Sequence, residues 1–353
     1  MKNDTNQTER TPREPTLRRP RRNAGSGVTL KDLAEIVGVT KVTISRAMNS
    51  PGLVSPDTLR RVQDAVRETG YVPNLVAGSL ASNRSKLIVA LIPSLSGSVF
   101  QETTEAMTVA LSEAGFQFLI GQSGYDESRE DALLDAVIGR RPAGIVLTGV
   151  MHSPASRKRL AGAGVPIVET WDLTDSPIDM LVGFSHAKVG VAAAEYLYQR
   201  GSRKAAIITP NDPRALIRSK AFADTMLRLT GREVPICSAA APTHLGNGRD
   251  CFMKLLQSHP DTDAVFCGAD NLALGVLMEA MERKIKVPDQ LKVLGYGDLN
   301  FAAHTTPPLT TMHINGTEIG KLAASMLIQR VEGVGFAQKI VDVGFRLIER
   351  DSA

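Results

Sequence analysis

The chain has no apolar run long enough to cross a bilayer: its longest, Leu87 to Pro93, lies between Lys86 and Ser94. That is far below the roughly 20 residues a spanning helix needs, so no membrane partner is expected. The N-terminal segment is rich in Arg, Asn, Thr and Pro and lacks the apolar stretch of a secretory signal, which predicts a cytoplasmic protein. Cysteine is scarce. Cys237, Cys251 and Cys267 are odd in number and form no CxxC, so neither a disulfide framework nor a zinc cluster is indicated, and buried free thiols are expected. Catalytic signatures are also missing. There is no GxSxG elbow and no GxxxxGK[ST] loop, and Gly162-Ala163-Gly164 and Gly295-Tyr296-Gly297 lack the third glycine of a dinucleotide loop. The six histidines show no metal-ligand spacing. Asp172, Asp175 and Asp179 sit in a proline-bearing segment without histidine and read as a solvated turn. An enzyme is therefore disfavoured, and no cofactor or metal is expected.

The 353 residues, 43% hydrophobic and 22% charged, have the composition of a folded protein of two or three units. The net charge of +4 is unevenly placed: residues 1–86 hold 15 Lys/Arg against 8 Asp/Glu, a balance of +7, and the remainder 26 against 29, a balance of −3. A basic head on a mildly acidic body points to a polyanion partner for the head alone. Residues 1–27, with several prolines, no aromatic residue and the run Arg18, Arg19, Arg21, Arg22, read as a disordered basic arm.

Three short helices follow, each with a start signal. Thr29 with Asp32 three residues on caps the first, Thr40 the second, and Ser55-Pro56 opens a third that ends at Gly70. A short helix is expected from Asn74 to about Ser82, within a hinge and linker over residues 73–86. From Leu87 the texture is α/β. Apolar runs at Leu87–Pro93, Gln117–Gly121, Gly144–Thr148, Ile167–Glu169, Ala205–Thr209, Ala264–Cys267 and Leu291–Leu294 alternate with amphipathic stretches of helical length. Residues 87–353 are too many for one open sheet of ordinary size, so two parallel sheets with a cleft between them are expected, with ligand-binding residues just after the strands.

Within Val28 to Asn49, VTLKDLAEIVGVTKVTISRAMN, the residues Leu30, Leu33, Ala34 and Val37 form one apolar helical face. Gly38 permits a tight turn, and Val39, Val42, Ile44 and Ala47 follow in and around the next helix. Thr40, Lys41, Thr43, Ser45 and Arg46 lie at its start, the end that a helix-turn-helix presents to the major groove. The same region holds Val54-Ser55-Pro56, Gly70-Tyr71-Val72-Pro73-Asn74, Ala77 and Leu80. Farther on come Gly144-Ile145-Val146-Leu147, Gly164-Val165-Pro166, Cys267-Gly268-Ala269-Asp270-Asn271-Leu272-Ala273-Leu274-Gly275, Gly295-Tyr296 and Pro307-Pro308-Leu309-Thr310-Thr311. This series resembles the lactose-repressor family of bacterial transcriptional regulators over nearly all of Thr29 to Leu347. Val168-Glu169-Thr170-Trp171-Asp172 and Asp179 to His186 are similar to the gluconate and ketogluconate regulators within it.

The resemblance implies a small all-α helix-turn-helix head on residues 28–72 and a two-lobed sensor, folded like a periplasmic binding protein, on residues 87–353. It implies a homodimer on a pseudo-palindromic operator in double-stranded DNA, controlled by a small-molecule effector. Lys41, Val42 and Arg46 fall on base-reading positions and Thr40, Thr43 and Asn49 on phosphate-positioning ones. Leu80, with Ala77 one turn earlier, matches the family's minor-groove wedge. In the sensor the implied effector residues are Ser94, Phe100, Thr148, Trp171, Asp172, Arg218 and Asp298, with Arg218 at the family's ligand-gripping arginine. An indole can stack on a sugar, a carboxylate can accept its hydroxyls, and a guanidinium can hold an acid group. The chain departs from the family in having Gly297 where an acidic residue is common and Ala269 where Asn is common, so its polar contacts differ from those suited to a neutral sugar. A sugar acid is expected as effector, with a neutral sugar as the alternative. Repression is expected, activation being the other sign the same architecture permits. No leucine-rich heptad follows Glu349, making a dimer the default over a tetramer.

Overall fold

The computed structural model describes residues 28–72, 85–96, 99–335 and 338–353. The expected arm on 1–27 and most of the hinge on 73–86, with Ala77 and Leu80, lie outside the described residues. The chain divides into two compact units, Met1–Asn83 and Arg84–Ala353.

In the first unit, helices α1 (Leu30–Val37), α2 (Lys41–Asn49) and α3 (Pro56–Thr69) form where the sequence supplies caps. Thr29 and Asp32 make a reciprocal capping box: Asp32 N donates to Thr29 Oγ1 at 3.3 Å and Thr29 N donates to Asp32 Oδ2 at 2.8 Å. The hydrogen bonds from Thr29 also hold the Asp32 carboxyl below its ordinary value. Gly38, at φ 71°, ends α1 in the left-handed region that glycine adopts without a side-chain clash. Leu33, Ala34 and Val37 of α1, Ile44 and Ala47 of α2, Val62 and Ala65 of α3, and Tyr71 close a single small core. Arg61 of α3 donates to the Val37 carbonyl, satisfying one of the acceptors that α1's C-terminus leaves unpaired.

The second unit contains two six-stranded sheets. The first holds β1 (Leu87–Ile92), β2 (Gln117–Gln122), β3 (Gly144–Thr148), β4 (Ile167–Thr170), β5 (Met180–Gly183) and β11 (Ile340–Asp342), in the order β11-β5-β4-β3-β1-β2, all parallel. The second holds β6 (Ala205–Pro210), β7 (Ile236–Ala239), β8 (Ala264–Cys267), β9 (Lys292–Gly297), β10 (Thr310–His313) and β12 (Arg346–Ile348), in the order β12-β10-β9-β8-β6-β7. Only β12 there runs antiparallel, against β10. Helices α4 (Gln101–Glu113), α5 (Glu127–Ile138), α6 (Pro154–Gly162), α7 (His186–Gln199), α8 (Pro213–Thr230), α9 (Leu245–Ser258), α10 (Asp270–Glu282) and α11 (Gly316–Glu332) connect the strands. Apolar clusters cover both faces of each sheet, as continuous runs such as Ala264–Cys267 require.

The chain passes between the sheets three times: after β5, after β10, and between β11 and β12. Accordingly α7 packs against α8 of the second lobe, and α11 against α4 of the first. Gly190 makes the first of these contacts close, since a Cβ there would lie 2.2 Å from the Arg218 carbonyl oxygen. A side chain at 190 must therefore push α8 away from α7. Gly190→Ala is expected to lower the unfolding free energy by about 1–3 kcal/mol, the usual cost of overpacking, as read from the urea midpoint. An unchanged midpoint would mean the helices yield without strain.

Candidate functional site

Two surfaces collect the chemistry that the sequence singled out. In the first unit, α2 begins with Thr40 capping its free amides: the hydroxyl accepts from Thr43 N at 3.2 Å and lies 2.9 Å from Thr43 Oγ1. Ile44 and Ala47 face the core, which turns Lys41, Val42, Arg46 and Asn49 to solvent on the opposite side. Val42 is 58% exposed, an apolar side chain between two cations that nothing among the described residues covers. Asn49 Nδ2 donates to Ser45 Oγ at 3.3 Å, and the residue is exposed.

In the second unit a cleft of ≈ 650 Å³, open solvent included, runs between the carboxyl ends of the two sheets. Ser94, Phe100, Trp171 and Arg218 line it, and so do Arg214, Tyr125, His186, Ala269, Asn271 and Tyr296. Arg218, 5% exposed, is held on three sides. Its Nη1 lies 2.9 Å from His186 Nδ1, its Nη2 donates to the Gly268 carbonyl at 3.1 Å, and its guanidinium carbon stands 3.8 Å from the centre of the Tyr296 ring. A guanidinium can only donate, so His186 Nδ1 accepts, and the ring's proton sits on Nε2, which donates to the Trp171 carbonyl at 2.9 Å. Burial, followed by the charges of Arg218 and Arg214, keeps this imidazole well below its ordinary pKa, consistent with the neutral tautomer.

Trp171 does not offer its indole freely to the cleft. It is 2% exposed, donates from Nε1 to Thr103 Oγ1 at 3.1 Å, and meets Phe100 and Phe184 edge-on at 5.0 Å and 5.8 Å. Its φ of 66° is rare for a bulky residue, and the left-handed turn brings the Asp172 carbonyl so near Gly183 that a Cβ there would lie 1.9 Å away.

Three expected effector residues do not line the cleft. Thr148 ends β3 outside the lining. Asp172 is buried, its Oδ1 accepting from Leu173 N at 2.8 Å, while burial pushes its carboxyl up. Asp298 is spent on a local ion cluster, with Oδ1 2.8 Å from Arg350 Nη2 and Oδ2 3.1 Å from His313 Nδ1. Conversely, sequence reasoning passed over Arg214, His186 and Tyr296. The arginine was legible: Pro213-Arg214-Ala215-Leu216-Ile217-Arg218 sets two guanidiniums four residues apart, on one helical face. The other two needed the fold.

Behind the cleft, Asp270 at the start of α10 ties β9's loop to β10. It accepts from Leu299 N and from Thr311 Oγ1, both at 2.7 Å. Its Oδ1 would sit 2.2 Å from any Cβ on Gly295.

A helix-turn-helix head followed by a two-lobed α/β unit with a cleft between parallel sheets defines the class of ligand-responsive transcriptional regulators. Comparison with known proteins agrees. Residues 29–74 match the family described as bacterial regulatory proteins, lacI family, and residues 194–353 match the periplasmic binding protein-like domain. The HTH-type transcriptional regulator GntR of Pseudomonas aeruginosa is 35% identical over 329 residues, 92% of this chain and 95% of that protein. A LacI family transcriptional regulator from Silicibacter pomeroyi superposes with a TM-score of 0.86 at 32% identity, over 92% of this chain and 99% of that one. The transcription regulator GntR from Chromobacterium violaceum gives 0.72 at 35% identity, over 75% and 98%. The chain belongs to the LacI family and is a DNA-binding transcriptional regulator. Among the described residues, no helix is long and apolar enough to cross a membrane.

Burial raises the Asp270 carboxyl from 3.8 to about 6. Between those values the folded chain holds a proton that the unfolded chain has lost, so this contribution is complete below about pH 4 and vanishes as pH rises through 6. Wild type should therefore lose up to about 3 kcal/mol of unfolding free energy over that window beyond what Asp270→Asn loses, since a pKa unit is worth about 1.4 kcal/mol. Denaturant titrations at pH 4 and pH 7 read the difference, and parallel losses in the two proteins would refute it.

Proposed function

We propose that the chain is a cytoplasmic, homodimeric repressor of genes for sugar-acid use, without catalytic activity, whose operator affinity is set by a gluconate-like or ketogluconate-like effector in the cleft. Its working parts are a basic arm on residues 1–27, a DNA-binding head on 28–72, a hinge on 73–86 and an effector-binding and dimerisation unit on 87–353. The observation carrying the operator half is the outward face at the start of α2. Lys41 and Arg46 bring positive charge and hydrogen-bond donors there, and the exposed Val42 between them suits a thymine methyl. Thr40, Thr43 and Asn49 frame that face with groups suited to phosphate, fixing register without reading sequence. Ala77 and Leu80 are assigned to the minor-groove wedge on the family resemblance alone. Two such heads in a dimer require two half-sites, hence a pseudo-palindrome.

The effector half rests on two buried arginines in a cleft that also offers Ser94 and Tyr125 for hydroxyl groups. Cations that line a ligand cleft favour an acid over a neutral hexose. Closing the lobes on such a ligand changes how the dimer presents its hinges, coupling effector to operator through one two-state element.

The test is a binding titration on the chain's own upstream DNA against scrambled DNA, with salt varied. Specific binding should exceed scrambled binding and fall steeply with salt, because bound Lys and Arg release counterions. Replacing Lys41 by Ala should cost about 1–3 kcal/mol at one base position per half-site and relax preference there. Equal affinity for both DNAs would sink the operator reading, and a uniform loss across sequences would assign Lys41 to phosphate.

A further inference from the structure

We infer that Arg214, rather than Arg218, grips the effector's carboxylate, and that it does so from the second lobe while resting on the first, so that the acid group itself latches the cleft. This deepens the sugar-acid reading and rests on it.

The two arginines share one face of α8 but differ in what they have left to give. Arg218 is fixed in the cleft wall: Nη1 meets His186, Nη2 donates to Gly268, the guanidinium lies over the Tyr296 ring, and its Nε is buried without a partner. Arg214 is nearly as enclosed, at 8% exposed, yet its guanidinium makes no hydrogen bond among the described residues. Its nearest carboxylate, Asp212, stands 3.8 Å from Nε, and the same Oδ1 accepts the backbone amides of Arg214 and Ala215 at 3.2 Å each as the cap of α8. The Asp212 oxygen that comes nearest is thus already shared between two amides. A guanidinium with its donors unused, lining a cleft, is a site for a planar anion that can take two parallel hydrogen bonds.

Its position adds the second half of the inference. Arg214 springs from α8 in the second lobe, but its guanidinium carbon lies 5.3 Å from the centre of the Phe100 ring, which follows β1 in the first. Its Nη1 comes within 3.2 Å of where a Cβ on Gly149, just after β3, would stand. Gly149 has φ 100°, so both the backbone and the space beside it suit glycine and leave room for the guanidinium. A carboxylate bound there neutralises a cation that otherwise faces apolar surface of the opposite lobe, which favours the closed arrangement. The remaining hydroxyls fall to Ser94 and Tyr125, so the ligand class is a polyhydroxy monocarboxylate bound by its acid end beside Arg214.

Calorimetry on the full chain decides this by comparing gluconate with gluconamide, which keeps the hydroxyls and removes the charge. The affinity ratio of the two is unaffected by the fraction of protein that is competent to bind. Wild type should prefer gluconate by about tenfold or more, the scale of one charge-assisted pair. Arg214→Gln should bring the ratio near one, and Arg214→Lys, keeping charge without the planar fork, should retain part of it. Arg218→Gln should weaken both ligands alike, because it loosens the cleft wall and not the acid contact. A ratio preserved in Arg214→Gln, or lost only in Arg218→Gln, overturns the assignment and leaves the sugar-acid reading standing. If wild type binds glucose and neither acid nor amide, that reading falls and takes this assignment with it.

Discussion

A chain of hydrogen bonds through buried groups joins the two lobes of the sensor, and the geometry of the cleft depends on it. It runs from the Trp171 carbonyl at the end of the first sheet, through the His186 ring at the start of α7, to Arg218 on α8, and on to the Gly268 carbonyl behind β8. Each link constrains the next. The cation forces the imidazole to accept on Nδ1, the imidazole must then donate from Nε2, and the Trp171 carbonyl is turned to receive it by a left-handed backbone. Gly190 lets α7 approach the backbone of α8 at Arg218 closely. A charge this enclosed is tolerable because two N–H groups and one ring face are satisfied, and losing any partner would leave it uncompensated.

That constraint divides the labour between the arginines. Arg218 holds the wall together, while Arg214, four residues earlier and unspent, faces the opposite lobe. Asp298, placed by the family resemblance among effector contacts, belongs to a different cluster. With Gly297 before it at φ 125° and Val99 filling the space a Cβ would take, the β9 loop turns Asp298 towards Arg350 and His313.

The parts of the fold legible in sequence are those that local chemistry decides. Thr29 with Asp32, Gly38, and Ser55-Pro56 with Gly70 mark helix ends by satisfying or releasing particular amides, and long apolar runs such as Leu87–Ile92 are buried on both faces. The edge strands β11 and β12 are not legible, because three-residue segments such as Ile340–Asp342 exist only through the neighbours they pair with; β5, β7 and β10 are missed as well, although β4 and β8, no longer than these, are marked by their apolar runs. The site shows the same limit. Position after a strand located Ser94, Phe100 and Trp171 at the cleft, and the family resemblance located Arg218, but the direction of Asp172 and Asp298 depends on left-handed turns at Trp171 and Asp298 that no spacing announces.

In the proposed regulator effector and operator act on one equilibrium, and reciprocity tests this directly. Effector affinity measured on the full chain, free and then saturated with its upstream operator, should change by the same factor by which effector changes operator affinity. For a coupling of about 1–3 kcal/mol that factor is roughly 5–150. An effector that binds equally well with and without operator would rule out such coupling, however tightly each binds alone.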